Sequence, residues 1–389
     1  MTRRIAIVFE YASLNGGEHS MLSVLQSLKA SSNFRFCAIA PPVGALAESL
    51  RAVGVPLVPF ETQDATGRRS SRGELHAQLH DILHAERPDI LHANSLSMSR
   101  LLGSFAGTCR QPSEPAILYT GHLRDMIRLS GTAVRDLNQL DRVAAVSAAT
   151  RSYHIDQGLD AARCHVVYNG VDLQRFQPLS NDSVSNSSER MARIHDLLPS
   201  VRLPDDAIVV LCAGQICLRK GQTVVAEAIA SLIPRFPRLH LLIAGVRYSA
   251  KPESVAFEQS IRVPFQRAGV EQHVHLPGVC GRMAELMPCC DLLIHAARQE
   301  PFGRVLLEAA ACGLPVVATN VGGTTEMLRN QREAILVDAD SADQLASAVA
   351  HLLTHDDLAS NLGSSARLRV EQEFNLASAT NALISFWGS

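Results

Sequence analysis

Two glutamates eight positions apart, Glu300 and Glu308, stand in the segment Arg298-Gln-Glu-Pro-Phe-Gly-Arg-Val-Leu-Leu-Glu-Ala309. Pro301-Phe302-Gly303 interrupts the chain between a strand and a helix that begins near Gly303, which puts Glu300 in the loop and Glu308 about a turn and a half into the helix. Glu308 is flanked by Val305, Leu306, Leu307 and Ala309 to Ala311. It is either an exposed position on a partly buried face or a buried carboxylate in need of polar partners, for which sugar or ribose hydroxyls are suited. Arg219-Lys220-Gly221 falls at the expected start of a second helix, where each cation opposes the helix dipole by roughly 0.3–1 kcal/mol. A diphosphate would reverse that sign; a solvated basic turn is the plain alternative. Gly16-Gly17, between the first strand and the first helix, suits a tight turn or the close approach of a phosphate to free N–H groups. It is not a G-x-G-x-x-G fingerprint, which counts against a nicotinamide enzyme. His122 follows an expected strand directly and is open to a structural or a functional reading, whereas His92, His275 and His295 read as core residues.

These residues need elements to hold them. Apolar, β-branched runs alternate with helix-period segments: Ile5–Phe9, Arg35–Ala40, Leu57–Pro59, Asp89–His92, Ala116–Thr120, Arg142–Val146 and His165–Tyr168, then Ala207–Ala213, Leu239–Ala244, His273–Leu276, Asp291–Ile294, Pro315–Ala318 and Ala334–Val337. Such alternation predicts α/β architecture with two doubly wound parallel sheets. The candidate residues follow strands, at the carboxyl edge where ligands of such sheets bind. Residues 1–177 form the first expected domain and 205–372 the second, separated by a Ser-, Asn- and Asp-rich linker over 178–204. Residues 373–389 read as a helix with the sole Trp near its end, and a terminal aromatic needs somewhere to bury.

The composition fits this picture. A chain of 389 residues has room for two cores, and 47% hydrophobic with 19% charged residues and a net charge of −2 gives no field that would select a nucleic acid. No run reaches the length of a membrane span, and the apolar stretch after Arg4 is too short for a signal peptide. Nine scattered cysteines suggest reduced thiols and no metal framework. The expectation is a cytoplasmic protein, with a peripheral contact at the inner membrane face left open.

The segment from Glu300 to Thr319, E-P-F-G-R-V-L-L-E-A-A-A-C-G-L-P-V-V-A-T, resembles the E-x7-E signature of the retaining glycosyltransferases of family four. Gly16-Gly17-Glu18, Pro88-Asp-Ile-Leu-His92, His122, Ser147, Asn169-Gly-Val-Asp172 and Lys220-Gly221 add to the resemblance. It implies a GT-B fold, two Rossmann-like domains facing a central cleft with the C-terminal helix of residues 373–389 packing back on the first, and with a nucleotide-diphosphate sugar as donor and no further cofactor or metal. It implies also that Gly16 and Gly17, Lys220 and the backbone near Arg304 and Val305 meet the diphosphate, that Glu308 binds ribose, and that Glu300 with Phe302 and Gly303 holds the sugar. Glu300 and His122 are the residues assigned to catalysis. The family's G-R-L is here Gly214-Gln215-Ile216, so Arg219 is the expected substitute for the missing phosphate-binding arginine.

The resulting reading is a metal-independent, retaining transfer of a hexosyl unit from a UDP- or GDP-sugar to the hydroxyl of a sugar, lipid-linked or small-molecule acceptor. Arg68, Arg69, Arg124 and Arg128, on two loops of the first domain, are the candidates for contacting an anionic acceptor, beside the simpler role of surface solubility. A non-catalytic nucleotide-sugar binder, or a GT-B epimerase or phosphorylase, is the alternative.

Overall fold

The computed structural model describes residues 2–388 apart from 30, 32, 65–66, 110–116 and 180–186. Two compact units divide the chain: Met1–Gly170 together with Leu376–Ser389, and Val171–Asn375. Among the described residues no helix is long and apolar enough to cross a membrane.

The first unit is built on a seven-stranded parallel sheet of β1 (Arg3–Val8), β2 (Phe34–Ala40), β3 (Leu57–Pro59), β4 (Ile90–Ala93), β5 (Leu118–Leu123), β6 (Arg142–Ala145) and β7 (Cys164–Val166), in the order β3-β2-β1-β4-β5-β6-β7. In β1 the pleat sends Ile5 and Ile7 into the apolar cluster on one face and Ala6 and Val8 into that on the other, so the strand reads as one unbroken apolar run. The chain direction of the crossovers reverses between β1 and β4. That switch point brings the residues after β1 beside those after β4 and β5.

The last helix, Leu376–Gly388, belongs to this first unit. Trp387 is fully buried, 5.4 Å from the His92 ring and 6.1 Å from Phe36. Two carbonyls at the end of the helix, those of Trp387 and Phe386, accept from Arg3 Nη1 at 3.0 Å and Arg142 Nη1 at 2.8 Å, as cations commonly satisfy a helix C-terminus.

The second unit carries β8 (Ile208–Ala213), β9 (Leu239–Ala244), β10 (Val274–Gly278), β11 (Leu292–His295), β12 (Val316–Thr319) and β13 (Ile335–Val337), in the order β10-β9-β8-β11-β12-β13. Its switch point lies between β8 and β11, so the loops after β8, β11 and β12 are neighbours.

Several expectations shift. The segment 178–204 contains the helix Ser187–Leu197, assigned to the second unit; residues 180–186 of that segment lie outside the described residues. Met191 and Ile194 bury one side of the helix, and Arg190 grips Asp291 at 2.5 and 3.1 Å while Asp291 also accepts from the Val209 N–H at 2.7 Å. Only two apolar side chains face inward on an otherwise polar helix, which is why its composition reads as a linker. The helix expected over 373–389 is Leu376–Gly388, with a separate helix, Asp356–Glu373, before it. In the first unit β5 runs on to Leu123, so His122 is inside the strand, paired with Ala144, and not beyond its tip. Ala116, expected to open that strand, lies outside the described residues.

Candidate active site

Glu300 follows β11 in the loop that enters the helix Arg304–Ala311, and Gly303 forms the N-cap with φ +93°, a left-handed conformation open to glycine. The Glu300 carboxylate is buried. Its Oε2 accepts from Lys220 Nζ at 2.5 Å and from His295 Nε2 at 2.7 Å, while Oε1 accepts nothing from the described residues. Burial alone would raise the Glu300 pKa; the Lys220 charge and the hydrogen bonds from His295 and Lys220 outweigh it and hold the carboxyl well below the usual range. His295 is itself pushed down, first by burial and then by Lys220, and so donates as a neutral ring.

Lys220 thus has an internal carboxylate partner in place of a purely solvated turn. It closes a short 3-10 helix, Leu218–Lys220, ahead of the helix Gln222–Leu232. One of its three N–H groups is committed to Glu300, leaving two for another anion. Arg219 Nη1 donates to the Gln299 carbonyl at 2.9 Å, which ties its guanidinium to the same loop from the other side. His295 is the residue that sequence reasoning missed, being read as core; its place five residues before Glu300, at the carboxyl end of a strand, was the available signal.

Glu308 is buried on the helix, with Arg304 Nη1 one turn back at 3.2 Å. Burial raises its pKa, and Arg304 and Arg175 only partly offset this. Of the other expected donor residues in this unit, Phe302 is buried against Phe374, with ring centroids 5.7 Å apart, and Val305 is half-buried in the first turn of the helix. The two carboxyl groups of this site therefore differ: its surroundings hold the Glu300 pKa down and the Glu308 pKa up.

Gly322-Gly323, after β12, pack directly on this loop. The Gly323 N–H donates to the Glu300 carbonyl at 2.9 Å, and a Cβ on Gly322 would lie 2.2 Å from that same oxygen at φ +51°. Gly322→Ala is therefore expected to push the Glu300 backbone out of place, with about 1–3 kcal/mol lost in stability and at least about a tenfold loss of activity; thermal melts alongside turnover measurements check both.

In the first unit Glu18 closes the N-terminus of the helix Gly16–Ser27 by accepting, at 3.0 Å, from the N–H of Asn15, the residue just before the expected phosphate position at Gly16 and Gly17. The four acceptor candidates separate. Arg68 pairs with Asp64 at 3.3 Å and Arg69 with Glu10 at 3.6 Å, both exposed. Arg128 is exposed, but Arg124 is not on a free loop: its guanidinium is held by Asn94 and Asn169. Among the described residues no group of three or more His, Cys, Asp or Glu side chains is gathered to hold a metal ion.

Residues 14–175 match the family model described as Glycosyltransferase Family 4, and residues 195–369 match that described as Glycosyl transferases group 1. The chain belongs to the family-four glycosyltransferases. The two matches span most of both units, and the fold of this glycosyltransferase is GT-B. It is 28% identical over 347 residues to a D-inositol 3-phosphate glycosyltransferase of Xylanimonas cellulosilytica, covering 84% of this chain and 79% of the relative. It is 32% identical to a D-inositol 3-phosphate glycosyltransferase of Jonesia denitrificans over 59% of this chain and 52% of the relative, so that match spans about half the relative's length. A lipopolysaccharide core biosynthesis mannosyltransferase, LpsB of Rhizobium meliloti, is 24% identical over 71% of this chain and 76% of its own. Among solved structures, HepE of Anabaena in complex with UDP and glucose superposes with a TM-score of 0.81 at 22% identity, over 99% of each chain.

Proposed function

We propose that the protein transfers a hexosyl unit from a UDP- or GDP-sugar to an acceptor hydroxyl with retention of anomeric configuration, and that the second unit holds the donor. The observation that carries this reading is the pair of buried carboxylates, each with a cation beside it: Lys220 at Glu300 and Arg304 at Glu308. Glu308 accepts from the ribose hydroxyls, which relieve its desolvation. Glu300 offers Oε1 to sugar hydroxyls while Oε2 is pinned by Lys220 and His295.

The remaining donors of Lys220 and Arg219, with the N-terminal amides of the helix that starts at Arg304, meet the diphosphate. As the bond between the anomeric carbon and the diphosphate oxygen breaks, its electron pair leaves with the diphosphate. The cations stabilise that growing charge without a divalent metal. The acceptor oxygen bonds to the anomeric carbon from the face the diphosphate leaves, and its proton passes to a departing phosphate oxygen.

His122 contacts the transferred sugar. Gly16 and Gly17 remain the expected first-unit contacts to the donor diphosphate. The names of the relatives support an acceptor that is a phosphorylated polyol or a glycan. Arg68, Arg69 and Arg128 are the exposed cations of the first unit available to an anionic acceptor.

Incubation with UDP- and GDP-hexoses and a panel of acceptors, with release of nucleoside diphosphate followed over time, tests the proposal. Release that depends on an acceptor hydroxyl, with a product of unchanged anomeric configuration, is expected. Binding of nucleotide sugar with no acceptor-dependent release contradicts transfer.

A further inference from the structure

Arg124 is the hub of a polar network at the switch point of the first unit. Its Nε donates to the Asn94 carbonyl at 3.1 Å, its Nη2 to Asn94 Oδ1 at 2.9 Å and its Nη1 to Asn169 Oδ1 at 2.9 Å. Asn94 Nδ2 in turn donates to the Gly17 carbonyl at 3.2 Å, and a Cβ on Gly17 would stand 2.8 Å from Arg124 Cδ. The glycine after the first strand thus makes room for this arginine.

The fourth contact decides the chemistry of His122. Arg124 Nη2 lies 3.2 Å from His122 Nδ1. A guanidinium has five donors and no acceptor, so the imidazole nitrogen facing it must present a lone pair. A neutral ring with a lone pair on Nδ1 carries its proton on Nε2. His122 Nε2 is buried and has no hydrogen-bond partner among the described residues. The residue is 2% exposed, and the His92 ring packs edge-on against its ring at 5.6 Å, which limits how the ring can turn.

We infer that Arg124 is a positioning residue that holds His122 as the Nε2–H tautomer, so that His122 meets a substrate oxygen as a hydrogen-bond donor and not as a proton acceptor. Burial, Arg124 and His92 all push the His122 pKa well below its ordinary value, which favours the neutral ring. The acidic groups nearest the network, Glu18 and Asp125, act on Arg124, whose own pKa falls only to about 10, so the donor stays charged. The inference rests on the transferase reading, and it adds a role for a residue that the sequence places on an exposed acceptor loop.

Nitrogen NMR of the full chain labelled with 15N-histidine reads the tautomer directly. His122 is expected to show Nε2 protonated and Nδ1 unprotonated, unchanged through neutral pH. In Arg124→Met both tautomers become populated and kcat falls by about tenfold to a hundredfold, with the donor KM changed by less than about threefold. Arg124→Lys, which keeps a cationic donor, recovers part of the rate. A wild-type ring protonated on Nδ1, or charged near neutral pH, overturns the inference, as does an Arg124→Met protein whose rate falls while its tautomer stays fixed. Nucleoside diphosphate binding, measured in parallel, is expected to be the same in all three proteins; its absence from the wild type would count against the transferase reading, leaving the tautomer result to stand by itself.

Discussion

Glu300→Gln is expected to lower kcat by about a hundredfold and to cost about 2–3 kcal/mol of stability at neutral pH. The substitution keeps the shape of the side chain and removes its charge. Lys220, with its side chain only 14% exposed, then loses its partner at 2.5 Å, and an uncompensated cation is left in the interior. His295 keeps an acceptor but no longer a charged one, so the orientation of the remaining oxygen toward the sugar is looser. The pH dependence has a definite sign. The folded-state pKa of Glu300 lies below its unfolded value, so its contribution is present above the ordinary carboxylate pKa, about 4.3, and is lost as pH falls through the lower folded value. The stability difference between wild type and Glu300→Gln should therefore be full at neutral pH and shrink only in strong acid, as urea melts at a series of pH values will show.

Glu308→Gln is expected to do the opposite to stability while weakening the donor. Here burial raises the folded-state pKa, so the group stabilises the fold below its unfolded pKa and that contribution is lost as pH rises through the folded value. At neutral pH the charged, buried form is a burden that glutamine removes. The variant should be at least as stable as wild type at pH 7, with the advantage vanishing in acid. Donor affinity should fall by about tenfold to a hundredfold, because an amide oxygen replaces a carboxylate as the acceptor for two hydroxyls. In the wild type, donor affinity should likewise decline toward acid pH, beginning above the usual carboxylate range as Glu308 becomes protonated.

The contrast between the two glutamates was only partly legible in the sequence. The alanine- and leucine-rich surroundings of Glu308 fit either an exposed position on a partly buried face or a buried carboxylate, and the structure gives the second. That Glu300 shares its Oε2 with Lys220 and His295 was not legible, because Lys220 lies 80 residues away and His295 looks like the end of a core strand. The thirteen strands were readable as apolar runs between polar breaks, with edges displaced by a few residues. β5 shows why the edges drift: Gly121-His122 looks like a turn, yet β6 alongside continues the ladder to Leu123 and carries His122 into the sheet. Arg124 illustrates a harder limit. Its partners Asn94 and Asn169 are 30 and 45 residues distant, and nothing local distinguishes it from Arg128 on the same loop.

Calorimetric titration with a nucleoside diphosphate and with the matching nucleotide hexose determines whether Glu308 and Glu300 grip opposite ends of one donor. Glu308→Gln should weaken both ligands by the same factor. Glu300→Gln should bind the nucleoside diphosphate as wild type does and lose only the additional affinity contributed by the hexose. Equal losses for both ligands in both variants, or wild-type affinities throughout, would rule out a donor held at its two ends by these carboxylates.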